Sequence, residues 1–441
     1  MNHAPGASLL AASPWWRPAP GTSLVIHGGN PLVGTYPISG AKNAALPLMV
    51  SALLTPHLVT LHNVPASLDV AVLSTLLRTL GAGLSWSQSS MGLSLTLCAN
   101  RIHPGRIDGE LVGQMRASVL LLGALLARCG EACLPMPGGD AIGLRGIDFH
   151  AAGLRAMGAQ VDLSGGMIRA TAPRGLSGAE IVLPQPSVGA TENLLLAAVL
   201  ATGTTIIRNA AREPEIADLA RCLTSMGADI AGMETDVLVI HGGGPLTGAV
   251  HTVMPDRIEL GTIACAAAVT DGEVFLEHAR LDLLGAAGPA LASAGVAFEQ
   301  VETGLIARRS RAGLTGIDIQ TRPYPGFATD LQSPAMAMLA TASGAITETI
   351  FEHRFRHVDE LRKMGASITV HGRTAWVRGV DRLIGARVTA TDVRAAAALV
   401  LAGLGAAGDT VLDGLDHLDR GYDHMAEKLT TCGAVITRSG E

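Results

Sequence analysis

IDFHAAGLRAMG (residues 147–158), PEIADLARCLTSMG (214–227) and VDELRKMG (358–365) are three amphipathic stretches, each ending on a glycine that is followed by alanine. Each reads as a helix whose last residue hands over to a left-handed cap before a new strand begins. The same Gly-Ala or Gly-Val step occurs at Gly81, Gly158, Gly227, Gly295, Gly365 and Gly433, at intervals of 77, 69, 68, 70 and 68 residues. So steady a period marks a repeated supersecondary unit, and the chain reads as six copies of one module.

Upstream of each amphipathic helix the sequence predicts a second helix of a different kind. These segments are 39–54 (SGAKNAALPLMVSALL), 115–129, 188–202, 259–271, 329–343 and 391–407, rich in small residues and opening at or near a Ser, Gly, Thr, Asp or Glu. Helices apolar nearly all round belong in a domain interior. Short runs such as TTII (204–207), VLVI (237–240) and AWV (375–377) read as strands. The unit is therefore strand-helix-strand-helix-strand-strand, an α/β arrangement with helices packed on one face of each sheet. Three units grouped around their buried helices make one domain, and two such domains account for the length. The boundary is expected near Val253 to Pro255. The first lobe is read as 44–254, and the second as 255–441 closed by the N-terminal strand in 21–43, with 1–20 a loose tail.

Composition limits the function classes. Of 441 residues, 48% are hydrophobic and 16% charged, which supplies ample core, and the net charge of −6 gives no electrostatic case for nucleic acid. The six cysteines (98, 129, 133, 222, 265 and 432) are scattered, with no CxxC pair and no His cluster at metal spacing, and read as reduced thiols of a cytoplasmic protein. Residues 1–20 lack a basic start and contain Pro14, Pro18 and Pro20 around Trp15, Trp16 and Arg17, unlike a secretory signal. Apolar runs are short or interrupted by proline and histidine, so no membrane partner is expected. No metal, redox cofactor or obligate protein partner is implied.

Lysine occurs only at 42, 363 and 428. Lys42, in ISGAKNAALPL (38–48), stands at the opening of an interior helix, where an ammonium and a helix amino end both favour an anion such as phosphate. That segment resembles the opening motif of the UDP-N-acetylglucosamine enolpyruvyl transferase family, within the EPSP synthase superfamily. Further matches follow in order: PGGDAIGLRGIDFH (137–150), PSVGATENLLLAA (186–198), NAAREPEI (209–216), PDRIELGT (255–262), PGFATDLQ (325–332), TETIFEHRFRHVDEL (347–361), TDVRAAAALVLAG (391–403) and LDRGY (418–422). The resemblance implies two domains of three βαβαββ units each, an inverse α/β prism, in agreement with the repeat count. It implies phosphoenolpyruvate and a uridine nucleotide as substrates, addition and then elimination through a tetrahedral intermediate, and an early place in peptidoglycan precursor synthesis.

Carried over position by position, Lys42, Arg145, Arg394 and Arg420 look like a cradle for the phosphate and carboxylate of phosphoenolpyruvate, with Arg116 and Asn43 beside it. A trianionic substrate requires several converging cations, and arginine supplies a fixed bidentate fork. Asp330 is placed as the group that accepts or orients the proton of the attacking sugar hydroxyl; read by itself, Thr329-Asp330 is a helix cap. Asp392 and Glu213 match acidic positions that are as compatible with structure as with chemistry. Nucleotide contacts are expected from Arg145, Gly146, Asp148, Phe149 and His150, and from Ser187, Val188 and Gly189, whose helix opening makes a diphosphate nest. Thr329, Ile350, Phe351, Glu352 and Arg354 align with the wall near the sugar.

Asp140 departs from the commonest pattern. Many members of the family carry a cysteine there, taken to donate a proton to the methylene carbon and to be alkylated by the epoxide fosfomycin; others carry aspartate. An acid working at pH 7 has to keep its proton, so a raised pKa and resistance to fosfomycin are expected. Gly146 replaces a frequent proline, and Gln185 stands where a lysine often touches the nucleotide. These changes leave two alternatives open. One is an enolpyruvyl transferase using another nucleotide, such as UMP; the other is a silent nucleotide sensor on the same fold, against which the intact set Lys42, Asp140, Asp330, Arg394 and Arg420 argues. The shikimate-pathway relatives fit the motifs poorly.

Overall fold

The computed structural model describes residues 23–89, 92–105 and 107–439. The expected tail, 1–20, lies outside them.

All six step glycines have left-handed backbones, with φ between 86° and 103°, a region open to glycine because it has no Cβ to clash. In five of them (81, 158, 227, 365 and 433) the glycine N–H bonds the carbonyl three residues back at 2.9–3.0 Å, and the next alanine N–H bonds the carbonyl five back at 3.0–3.1 Å. This double bond satisfies the last carbonyls of the helix, and the alanine that makes it is buried. The repeat is thus written in helix terminators.

Described residues fall into two compact units, one of 40–140 and 145–254, the other of 23–39, 141–144 and 255–439. Each has its own hydrophobic core. In the first unit the interior helices are Lys42–Ser51, Leu120–Cys129 and Val188–Ala198; in the second they are Arg257–Val269, Gln332–Leu339 and Val393–Gly405. Small residues let such helices approach closely. A Cβ on Gly123 would lie 2.3 Å from the Asn193 carbonyl of the neighbouring helix.

Two interior helices begin with a tighter 3₁₀ turn, Arg116–Val119 and Thr329–Leu331, ahead of the α segment. The helix expected over 329–343 ends at Leu339, because Ser343–Thr347 is claimed as a strand between Ile317–Gln320 and Thr374–Arg378. Side-chain caps appear at Ser187, Asp256 and Asp392, each accepting backbone N–H groups of the first turn.

The described strands form six small sheets, one per repeat, five of four strands and one of three. A typical sheet sets Gly203–Arg208 parallel to Glu180–Val182 and antiparallel to Val237–Gly242, which pairs in turn with Asp229–Ala231. Sequence-distant strands complete three sheets, one of them by Val33–Pro37 running parallel to Glu273–Glu277. Ala249–Thr252 runs parallel to Leu58–His62 in the first unit, and Ser23–His27 lies between Asp409–Asp413 and Val435–Ser439 in the second. Interior helices therefore start at fixed places beside the sheets, and Lys42, Asn43, Arg116, Ser187, Thr329, Asp330, Asp392 and Arg394 sit at or just before those starts.

Candidate active site

In the first unit, Lys42 is the first residue of its helix and only 9% exposed. Its ammonium lies 3.2 Å from the carboxylate of Asp69, itself buried in the first turn of helix Leu68–Thr79. A buried lysine needs such a partner to remain charged. Asn43 follows on the same turn, half-buried.

Arg116 and Arg145 come together beside the Pro137-Gly138-Gly139-Asp140 loop. The Arg116 guanidinium donates to the Gly146 carbonyl at 2.7 Å, and that of Arg145 to the Asp140 carbonyl at 2.8 Å. A Cβ on Gly139, whose φ is +110°, would stand 2.9 Å from Arg145 Nη2 and 3.2 Å from Arg116 Cβ, so only glycine lets the loop close on both arginines. Burial and then the charge of Arg145 push the Arg116 pKa down to about 10. The smaller, charge-driven part of that depression is one that an anion would relieve.

The helix that begins at Asp148 carries Phe149, packed against the core, and His150. Gly146 precedes it, and a Cβ there would meet Asp148 Oδ2 at 2.5 Å, so the missing side chain leaves that carboxylate its present rotamer. His150 is 4% exposed, its pKa lowered to about 3 by burial and by Arg116, and it is neutral. Ser187 Oγ accepts from Ala190 N at 3.4 Å, opening helix Val188–Ala198, with Val188 and Gly189 half-buried in its first turn. Glu213 directly precedes helix Pro214–Ser225. Near it lies Glu192, which sequence reasoning missed; burial, then Glu215 and Glu213, raise its pKa well above the carboxylate range.

In the second unit, Asp330 caps no helix, contrary to the plain sequence alternative. Its carboxylate receives Arg354 Nη2 at 2.9 Å and Arg394 Nε and Nη2 at 3.0 and 2.8 Å. Both guanidiniums are buried, Arg354 against the Phe351 ring and Arg394 against that of Tyr422. Burial lowers the Arg394 pKa, but Asp330, Tyr422 and Asp256 together outweigh it and the pKa is raised well above its usual value. Arg394 Nη1 and Arg354 Nε are left without a hydrogen-bond partner among the described residues.

Thr329 donates to Glu348 at 2.7 Å, and the same carboxylate receives Thr321 Oγ1 and the backbone N–H groups of Ile350 and Phe351. Glu348, 1% exposed, thus fixes the Thr329 and Ile350–Phe351 segments together. It lies inside a quoted motif, yet nothing local distinguishes it from a surface acid. Glu352 is exposed and accepts from Leu144 N at 3.2 Å. Asp392 is 2% exposed and accepts from the N–H groups of Arg394 and Ala395, so it sets the start of the helix that carries Arg394. Arg420 occupies the last turn of helix Leu415–Gly421, half-buried.

The structure thus gathers Lys42, Asn43, Arg116, Asp140, Arg145, Gly146, Asp148, Phe149, His150 and Ser187–Gly189 within the first unit. Thr329, Asp330, Ile350, Phe351, Glu352, Arg354, Asp392, Arg394 and Arg420 belong to the second.

Two units of three repeated sheets each, with interior helices, have the organisation of an enolpyruvyl-transferase-type protein. The chain belongs to the EPSP synthase (3-phosphoshikimate 1-carboxyvinyltransferase) family, which it matches over residues 26–429. It is 53% identical over 427 residues to the UDP-N-acetylglucosamine 1-carboxyvinyltransferase of Rhodospirillum centenum, covering 95% of this chain and 99% of that one. The protein of the same name from Granulibacter bethesdensis is also 53% identical, over 94% and 98% of the two chains. Among solved structures, the enolpyruvyl transferase NikO of Streptomyces tendae superposes with a TM-score of 0.85 at 27% identity, over 95% of this chain and 99% of that one. EPSP synthase of Acinetobacter baumannii, at 20% identity and a TM-score of 0.72 over 95% and 100% of the chains, shares the fold.

Proposed function

We propose that this chain transfers the enolpyruvyl group of phosphoenolpyruvate to the 3′-hydroxyl of UDP-N-acetylglucosamine and releases inorganic phosphate. This is the first committed step of peptidoglycan precursor synthesis, and hence serves cell-wall growth, cell shape and division. The observation that carries the reading is the 53% identity, over 95% of this chain, to a protein named for that reaction.

Lys42, Arg145 and Arg420 hold the phosphate and carboxylate of phosphoenolpyruvate, with Arg116 and Arg394 adding charge. Asp330, clamped by two guanidiniums, holds its oxygens still, and its role is to orient the sugar hydroxyl and take up its proton. In the addition step the 3′-oxygen bonds to C2 of phosphoenolpyruvate while Asp140 supplies a proton to C3. Elimination then removes a proton from C3 and phosphate from C2, restoring the double bond. The substrates carry all of this chemistry, so the reaction is written without a metal or redox cofactor, and with no nucleic-acid, membrane or obligate protein partner.

No helix among the described residues is long and apolar enough to cross a membrane, which fits a cytoplasmic site for this reaction. The alternative acceptor, UMP, is disfavoured because the relatives at 53% identity are named for UDP-N-acetylglucosamine. Phosphate release from phosphoenolpyruvate is to be measured with each acceptor. Turnover with UDP-N-acetylglucosamine and none with UMP is expected, and the reverse result overturns the reading.

A further inference from the structure

We infer that Asn193 is a positioning residue for nucleotide binding: it locks His150 into the tautomer protonated on Nε2, so that a permanent neutral N–H donor stands beside Gly189 in the first turn of helix Val188–Ala198, where a phosphate oxygen of the nucleotide is received. The inference deepens the proposed function and rests on it for the ligand.

The argument begins with an unambiguous donor. The backbone N–H of Gly123, near the start of helix Leu120–Cys129, donates to Asn193 Oδ1 at 2.8 Å. That bond fixes which end of the carboxamide is oxygen, so the other end, Nδ2, faces His150 Nδ1 at 2.9 Å. An amide nitrogen can only donate, and Nδ1 therefore accepts through its lone pair. A neutral ring has one proton, which is left to Nε2. His150 and Asn193 are 4% and 0% exposed, so water does not compete for either bond.

Nε2 is the atom on the functional side. A Cβ built on Gly189 would lie 3.8 Å from Nε2 and 3.6 Å from Cε1, which sets the ring edge against the helix start. Ser187 Oγ already serves Ala190 N there. A diphosphate oxygen at this helix start would meet first-turn N–H groups, with Arg116 nearby and the Nε2–H as a further donor. The opposite tautomer would present a lone pair to the same anion. Asn193 touches no substrate and acts through the histidine.

The test uses the full-length protein labelled with ¹⁵N-histidine, with the His150 signals assigned from a His150→Gln spectrum. The expected spectrum of the free protein shows Nε2 protonated and Nδ1 bare; a proton on Nδ1 overturns the inference. Asn193→Asp keeps an acceptor for Gly123 but demands a proton from Nδ1, which strips Nε2 at pH 8.5. Its KM for the nucleotide should rise about tenfold while the KM for phosphoenolpyruvate stays within about twofold, as for loss of one hydrogen bond to a charged group. An unchanged nucleotide KM overturns the positioning role.

Should Asn193→Asp fail to fold, His150→Gln, which retains a donor, is expected to hold the nucleotide KM within about threefold while His150→Leu loses about tenfold; equal values in both overturn the inference. The tautomer is read without any substrate, and the kinetics use whichever acceptor turns over. Failure of the proposed function would show separately, as wild-type inactivity toward UDP-N-acetylglucosamine.

Discussion

Asp330→Asn is the most discriminating perturbation of the second unit, because it conserves volume and removes one charge. In the wild type that charge receives three hydrogen bonds of 2.8–3.0 Å from two arginines. The Arg354 and Arg394 side chains are 3% and 4% exposed and the Asp330 side chain 25%. Stripping one partner from a fully buried ion pair costs about 3–5 kcal/mol, since the remaining charge is left desolvated. Here the carboxylate is a quarter open to water, which screens part of the interaction, so about 2–3 kcal/mol is expected. For a unit of this size, 1 kcal/mol corresponds to about 2–4 °C in Tm, giving a fall of about 4–12 °C by scanning calorimetry without ligand. Removing active-site groups commonly stabilises proteins, so the sign is informative. Adding Arg354→Met should recover part of the loss, by deleting one of the two uncompensated cations. Phosphate release should drop at least about 100-fold in Asp330→Asn, as for loss of a proton acceptor. A variant as stable as the wild type, or more so, would refute the view that this carboxylate holds the two buried arginines in place.

Three further outcomes are expected. Arg145→Gln relieves the repulsion that, with burial, depresses Arg116, so its Tm without ligand should rise while the KM for phosphoenolpyruvate increases; a lower Tm contradicts the assigned repulsion. Glu192 is protonated in the folded state and ionised in the unfolded state above pH about 4.3, so the unfolded chain binds fewer protons and stability falls as pH rises from there. Glu192→Gln should therefore stabilise more at pH 8 than at pH 5 in urea titrations, and parallel pH profiles for the two proteins would dismiss the neutral carboxyl. Fosfomycin should leave the wild type active and inactivate Asp140→Cys in a time-dependent manner, with mass spectrometry locating the adduct; rapid loss of wild-type activity would contradict the absence of a nucleophile at that loop.

What the sequence discloses is what is local. The glycine that ends each amphipathic helix carries its signal within a few residues, because the left-handed cap and the buried alanine after it are set by backbone geometry at that point, and so the six repeats and the interior helices were legible. The small polar or acidic residue at or near each interior-helix start was legible for the same reason. By contrast, Asp69 matters only because it meets Lys42, 27 residues away, and Asn193 because it meets both Gly123 and His150. Glu348 gathers Thr321, Thr329, Ile350 and Phe351, a convergence that no spacing rule encodes.

These missed residues have one property in common. A cation such as Lys42 or Arg394 is conspicuous in sequence because charge is rare in an apolar helix, whereas its counter-ion lies on another segment and looks ordinary. Yet an isolated buried cation is too costly to keep, so each conspicuous charge implies a partner acid in the fold. Asp69 and Asp330 are those partners for Lys42 and for Arg354 and Arg394. At Arg116, burial and then the charge of Arg145 pull the pKa down to about 10. On the proposed function, a phosphorylated ligand arriving beside Arg116 would relieve the part of that depression that Arg145 causes.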